Sequence, residues 1–197
     1  MKGISDRVAT IELTFEQEKM ALIQAYAPTA SSNEEENELF YQVMGNTLNE
    51  IRDKKPKKII IMGDFNSQIG KHTLEDSDIM GTFNYGTRNE RGQRLLQFCR
   101  EHNLKIMNGF FKKREGKRWT WVSPNQQFHS QIDYFIVPKE ENNITNFEVN
   151  NKFDFITDHR LIYITIRTNN CKNKKKQPYF KDKNLSLIHI SEPTRPY

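Results

Sequence analysis

The reading of this chain turns on Lys58-Ile59-Ile60-Ile61-Met62-Gly63-Asp64-Phe65-Asn66. Three successive isoleucines closed by a glycine describe a short buried strand, because β-branched side chains suit a pleated surface and the run is too short for a buried helix. Gly63 permits a sharp turn of the backbone at the strand end. Asp64 and Asn66 lie two apart, so they point the same way if the segment stays extended. A carboxylate and an amide then converge on one point, where one orients or deprotonates a water and the other donates to an anionic oxygen. The same residues also fit an ordinary turn whose Asx side chains bond their own backbone.

Working outward, residues 8–13 and 20–26 read as two strands flanking a polar turn, hence a hairpin. Pro28 ends the second strand. A helix follows, capped by Ser31, Ser32 or Asn33, with Glu34, Glu35 and Glu36 in the first turn, where carboxylates suit the helix dipole. Its apolar positions Leu39, Phe40, Val43, Met44, Leu48 and Ile51 recur at three- and four-residue spacing, and Pro56 stops it. Residues 64–88 read as irregular. A second helix spans 89–102 with Leu95, Leu96 and Phe98 inward. Short strands are expected around 104–107, 118–122, 132–137, 147–149 and 161–167. Strands interleaved with two helices give an α+β class, with sheets covered by helices.

The chain has 197 residues, which bounds it to one domain with a tail: 1–167 as the domain and 168–197 as a basic, Lys- and Asn-rich tail, expected to be disordered. The end of that tail, residues 185–197, resembles translated adaptor sequence. Residues 168–197 carry seven basic and two acidic side chains, which leaves 23 of each sign in 1–167. The surplus of +5 therefore belongs to the tail and is no argument that the folded part binds nucleic acid. Cys99 and Cys171 are too far apart in setting to make a disulfide framework or a zinc site, and a reducing compartment fits them. No apolar run approaches a membrane span and the first residues lack an apolar signal core, so a soluble intracellular protein is expected.

Four groups of residues carry chemistry. Asp64 and Asn66 are the first. Thr157-Asp158-His159 precedes the strand at 161–167 and places a carboxylate beside an imidazole; a loop Asp next to a solvent-facing His is the plain alternative. In Gln131-Ile132-Asp133-Tyr134-Phe135-Ile136-Val137, alternation buries Ile132, Tyr134 and Ile136 on one face and sets Asp133 on the other. A histidine partner would offset the cost of a half-buried Asp and fix the imidazole tautomer, whereas an edge strand would leave it facing water. Tyr26, in Gln24-Ala25-Tyr26-Ala27-Pro28-Thr29, either presents a phenol to a phosphate or simply packs. Lys112-Lys113-Arg114-Glu115-Gly116-Lys117-Arg118-Trp119, with Phe110, Phe111 and Trp121 around it, reads as a hairpin with its tip at Gly116. It suits a DNA backbone as well as it suits solvent. Arg88 and Arg91 are further candidates for that contact.

Taken in order, these motifs resemble the endonuclease/exonuclease/phosphatase family, and within it the endonuclease domains of LINE-type non-LTR retrotransposons and the craniofacial-development-protein-2-like sequences. The carriers are Tyr26-Ala27-Pro28, Gly63-Asp64-Phe65-Asn66, Ile132-Asp133-Tyr134 and Thr157-Asp158-His159. Asn89-Glu90-Arg91-Gly92-Gln93-Arg94-Leu95 and Arg118-Trp119-Thr120-Trp121-Val122-Ser123-Pro124 look like the retrotransposon branch. The resemblance covers about residues 5–167. It implies part of a four-layered α/β sandwich, two packed β-sheets flanked by helices, and a Mg²⁺-dependent DNA endonuclease, with Mn²⁺ as a substitute. Asp64 would orient the attacking water, Asn66 support it, His159 held by Asp133 stabilise charge on the phosphate, Tyr26 position the phosphate, and Asp158 help hold the metal. DNA is the implied partner, with a reverse transcriptase domain downstream in the parent polypeptide, no membrane, and nuclear residence. A phosphatase or deadenylase is the other family activity to weigh.

The sequence departs from the family at its start. The family opens with a strand bearing an Asn and a strand ending in Leu-Gln-Glu, whose Glu is the principal metal ligand, and this chain opens at the hairpin that follows. The expectation is an N-terminally truncated domain with its first strands missing. A catalytically dead, nucleic-acid-binding remnant then competes with an active nuclease.

Overall fold

The computed structural model describes residues 1–15, 18–150 and 156–167. Its strands are β1 (Lys2–Gly3), β2 (Val8–Phe15), β3 (Glu18–Tyr26), β4 (Lys58–Asp64), β5 (Leu104–Ile106), β6 (Trp121–Val122), β7 (His129–Ser130), β8 (Asp133–Pro138), β9 (Ile144–Asn150) and β10 (Leu161–Ile166). The helices are α1 (Glu34–Asp53) and α2 (Glu90–Glu101). One six-stranded sheet runs β1-β2-β3-β4-β8-β5, and β9–β10 and β6–β7 form two-stranded sheets. The hairpin β2–β3 is antiparallel as expected, while β3 and β4 are parallel. A parallel pair needs a crossover, and α1 supplies it.

Asn33 is the residue that caps α1, its Oδ1 accepting from the Glu36 N–H at 2.8 Å, and Asn89 caps α2 by accepting from the Gly92 N–H at 2.7 Å. Of the apolar positions expected to face inward on α1, Leu39 does not: it is 58 % exposed, while Phe40, Met44, Leu48 and Ile51 are buried. Leu39 sits one step around the helix from the stripe that faces the sheet.

Two hydrophobic cores flank the large sheet. On one face Ile23, Ala25, Ile61, Tyr134 and Ile136 pack against Phe40, Met44, Leu48, Leu95 and Phe98 of the helices. On the other, Ile60, Phe135 and Val137 pack against Phe147 and Val149 of β9 and half-buried Ile162, Ile164 and Ile166 of β10. Sheets packed face to face with helices outside are therefore present, and among the described residues the helices lie over the larger sheet. This corrects the simple alternation read for residues 131–137. Tyr134 and Ile136 face the helices as expected, but Phe135 and Val137 are also buried. The face that carries Asp133 looks into the gap between two sheets, not into water.

The irregular segment 64–88 is tied down by a buried carboxylate. Asp76, fully buried, accepts from the Thr73 N–H and hydroxyl, from Arg88 and from Arg100 at 2.7 Å. Burial alone would raise its pKa, but the Arg88 and Thr73 hydrogen bonds and the Arg88 charge overturn that and hold it at about 2. The basic stretch departs from expectation too. Residues 115–117 form a 3₁₀ turn, not a hairpin tip, and the strand expected over 118–122 is reduced to β6. No helix among the described residues is long and apolar enough to cross a membrane. The tail 168–197, with Cys171, lies outside the described residues.

Candidate active site

Strand register assembles the site. Tyr26 at the end of β3 pairs with Asp64 at the end of β4, and Asp64 pairs with Asp133 at the start of β8. Three side chains that are far apart in sequence thus share one row across three strands, on the face that meets β9–β10. The next row holds Ala25, Gly63 and Tyr134. At Gly63 φ is +149°, and a Cβ there would stand 1.8 Å from the Ala25 carbonyl oxygen, so only glycine allows β3 and β4 to approach at this point.

Beyond Gly63 the chain does not stay extended. Asn66 has φ +45°, in the left-handed region that Asn tolerates better than most residues. Its backbone N–H donates to Asp64 Oδ1 at 2.8 Å, and its side-chain Nδ2 donates to the Ala27 carbonyl at 2.8 Å. The two side chains are brought together by a tight turn rather than by strand alternation. Asn66 locks that turn to the end of β3, and Asp64 Oδ1 is held by the turn's own backbone.

His159 arrives from the opposing layer, on the segment leading into β10. Its Nδ1 lies 3.2 and 3.1 Å from the two carboxylate oxygens of Asp133, and its Nε2 lies 3.9 Å from Asp64 Oδ2. Burial by itself would push the imidazole pKa down. The hydrogen bond and charge of Asp133, then the charges of Asp64 and Asp158, outweigh it and raise the pKa to about 9. At neutral pH the ring is an imidazolium whose Nδ1–H donates to Asp133.

Sequence reasoning missed several supporting residues. Thr120, fully buried, accepts at Oγ1 from the N–H groups of Ile132 and Asp133, each at 3.1 Å. Asn108, also buried, donates from Nδ2 to the Asp133 carbonyl and accepts from the Phe135 N–H. Together they fix the backbone that presents Asp133. The Tyr134 hydroxyl lies 2.5 Å from the Gln131 carbonyl and 3.0 Å from that of Ser67, and accepts from the Ile69 N–H, joining β8 to the segment after Asn66. Trp121 donates from Nε1 to Asp158 Oδ2 at 2.8 Å. Buried Thr and Asn next to a strand were the available signal, but neither residue type declares its partner.

Asp158 itself is exposed. The described residues bring three carboxylates, Asp64, Asp133 and Asp158, around His159. Yet no group of three or more His, Cys, Asp or Glu side chains among them converges to hold a metal ion. By themselves they do not make a Mg²⁺ site, which needs several well-placed oxygens. Tyr26 is half-buried, with the Arg7 guanidinium 5.8 Å over its ring.

The candidates for nucleic-acid contact divide. Lys112, Arg114 and Lys117 are exposed, and Lys113 and Arg118 half-buried. Their turn is fastened to the site because Arg160, next to His159, donates to the Gly116 carbonyl at 2.8 Å. The Trp119 ring is engaged within the protein, by His129 stacked 4.1 Å away and by the Arg160 guanidinium over the ring. Arg88 and Arg91 are directed inward: Arg88 bonds Asp76 and the Ile69 carbonyl, and Arg91 the Ser32 carbonyl. Phe128, in the loop between β6 and β7, is 65 % exposed and was not singled out from sequence.

Residues 10–163 match the family described as Endonuclease-reverse transcriptase. Craniofacial development protein 2 from Bos taurus is 31 % identical over 164 residues, 83 % of this chain and 27 % of that protein. The same protein from Tragulus javanicus is 31 % identical over 83 % of this chain. The chain spans about a quarter of the length of these curated relatives. Among solved structures, the endonuclease domain of TRAS1, a telomere-specific non-LTR retrotransposon, superposes with a TM-score of 0.59 at 15 % identity, over 83 % of this chain and 64 % of that one. The AP endonuclease LMAP from Leishmania major gives 0.58 at 13 % identity, over 82 % of this chain and 55 % of that one. At such identities these likenesses establish the fold: mixed α/β, with multiple sheets flanked by helices, of the endonuclease/exonuclease/phosphatase type.

Proposed function

The chain belongs to the Endonuclease-reverse transcriptase family, and on that premise we propose that it is a DNA endonuclease of the abasic-endonuclease-like retrotransposon type, hydrolysing phosphodiester bonds. The observation that supports this most is the Asp133–His159–Asp64 arrangement, built from two sheets at one end of the fold. Asp133 accepts from Nδ1–H, which sets the ring orientation and keeps the second proton on Nε2. In this reading Nε2–H donates to the phosphate oxygen that gains charge in the transition state. Asp64, with Oδ1 held by the Asn66 N–H, uses Oδ2 to orient the water and draw off its proton. Tyr26, in the same strand row, contacts the phosphate. The exposed Lys112, Arg114 and Lys117 track the DNA backbone, and this contact should weaken with salt.

The reading includes a requirement for Mg²⁺, with Mn²⁺ in its place, towards which Asp158 offers an exposed carboxylate. A bound divalent ion would supply charge neutralisation at the phosphate. A downstream reverse transcriptase as partner and nuclear residence belong to the same proposal. Incubating the protein with supercoiled plasmid tests it. Nicked circles should accumulate with Mg²⁺ and fail to appear with EDTA or in His159→Ala. Nicking that survives His159→Ala would overturn the assigned mechanism.

One observation favours a second reading, a nucleic-acid-binding domain that does not cleave: the described carboxylates do not converge as a metal site. Salt-sensitive DNA binding without nicking under any divalent ion would select it. Release of inorganic phosphate from a 3′-phosphorylated oligonucleotide, without nicking, would instead select the phosphatase activity of the same fold.

A further inference from the structure

The hairpin β6–β7 is zipped onto the segment that carries Asp158 and His159. Trp121 and His159 form an antiparallel bridge, the Val122 N–H donates to the Asp158 carbonyl at 3.0 Å, and the Arg160 N–H donates to the Thr120 carbonyl at 2.7 Å. These bonds hold the main chain and leave the Asp158 side chain to rotate in solvent. What restrains it is the Trp121 indole, whose Nε1–H donates to Oδ2 at 2.8 Å. An indole N–H can only donate, so it selects a carboxylate oxygen and cannot be satisfied by a cation. The bond occupies one oxygen of Asp158 and fixes the direction of the other. A hydrogen bond to an ionised acceptor is also stronger and shorter than a neutral one.

From this we propose that Trp121 is a positioning residue: it orients the Asp158 carboxylate and, through the shared turn, the His159 imidazole, so that the β6–β7 hairpin and the catalytic segment move as one unit. For its catalytic meaning the proposal rests on the nuclease reading above. It assigns a role to the donor atom, not to the bulk of the ring. Trp121→Phe keeps an aromatic ring at this position and removes the donor together with part of the ring's bulk, so the thermal midpoint is read beside the imidazole signals.

The first test is spectroscopic and needs no activity. The chain has two tryptophans, so ¹⁵N-labelled protein gives two indole N–H resonances, and the one that remains in Trp119→Phe is that of Trp121. It should move clearly in Asp158→Ala, which leaves Trp121 in place and decides the hydrogen bond even if Trp121→Phe fails to fold. In Trp121→Phe the His159 imidazole resonances should shift or broaden while the thermal midpoint stays near wild type. If the wild-type chain nicks DNA, the same variant should lose roughly 10–100-fold in turnover, as is usual for a group that orients a site ligand, with DNA affinity unchanged. A wild-type chain that does not nick refutes the nuclease reading, while the two resonances still decide the clamp. An indole resonance unmoved by Asp158→Ala, or a folded Trp121→Phe with wild-type imidazole signals, overturns the proposal. So does a loss of stability in Trp121→Phe without any imidazole change, because that is a packing role.

Discussion

Replacing Asp133 with Asn tests the central electrostatic claim. The substitution keeps the size of the side chain and removes its charge. In the wild-type fold His159 Nδ1 sits 3.1 Å from the nearer Asp133 oxygen, and the imidazole pKa is raised from 6.5 to about 9 although burial opposes it. That displacement corresponds to roughly 3 kcal/mol of preference for the protonated ring. Asp133 is the strongest of the raising influences, ahead of Asp64 and Asp158. Without it, burial acts against two more weakly coupled carboxylates, and the pKa should fall by at least about one unit. The linkage has a definite sign. A group whose pKa is raised on folding adds stability that is complete below its unfolded value, here 6.5, and that is lost as pH rises through about 9. Asp133→Asn should therefore lose roughly 2 kcal/mol near pH 6 and much less at about pH 10, measured by urea unfolding. The pKa itself follows from NMR titration of the imidazole Cε1–H. A wild-type His159 that titrates at or below 6.5 would refute the reasoning: burial would then have won, and a neutral ring would face the phosphate.

Three further outcomes follow from named contacts. Asp76 is held at about 2 against an ordinary 3.8, so it contributes roughly 2 kcal/mol above about pH 4, lost as pH falls through about 2. Asp76→Asn, which leaves Arg88 and Arg100 facing each other, should cost roughly 3 kcal/mol or more at neutral pH in urea melts. Gly63→Ala drives a Cβ to 1.8 Å from the Ala25 carbonyl and should abolish cooperative thermal unfolding, so a wild-type melt would contradict the β3–β4 register. Phe128→Ala, at a 65 % exposed ring, should leave the melting temperature unchanged and weaken binding to single-stranded DNA by about 1–3 kcal/mol in fluorescence anisotropy, on the reading that the ring stacks on a base.

Much of the fold could be read from local signals, and the failures have common physical causes. The run of isoleucines at 59–61 marked β4, and a polar cap followed by acidic residues marked α1, because both depend on near neighbours in the chain. The register of β4 against β8 depends on pairings across some 70 residues, and no local period encodes it. That register is what places Tyr26, Asp64 and Asp133 in one row. The strands β6 and β7 have two residues each, too few to show a period of two, so Trp121 and Thr120 passed as parts of a motif without roles. Asp64 and Asn66 could be read as one face of an extended segment or as a turn whose Asx side chains bond their own backbone, because the positive φ of a non-glycine residue leaves little trace in sequence. The structure selects the turn, with Asn66 at positive φ and its N–H on Asp64 Oδ1. Arg88 was offered to DNA because a residue type says nothing about its partner. The buried Asp76 that engages it lies in a segment read only as irregular.

The site spans two layers that share no ladder hydrogen bonds among the described residues. Asp64 and Asp133 belong to the six-stranded sheet, whereas His159 belongs to the layer of β9 and β10, which meets that sheet through side-chain packing. The apolar residues of β10 that contribute are only half-buried, so this layer buries less per residue than the helices do on the other side. Elements with fewer buried contacts open at lower free energy than the rest of a domain. The imidazole–carboxylate pair is thus part of what fastens the weaker layer to the large sheet, and the chemistry and the layer packing depend on one another. A change that loosens β9–β10 should disconnect His159 from Asp133 before the large sheet loses structure. The imidazole resonances would then register that opening earlier than any probe of the helix-covered core.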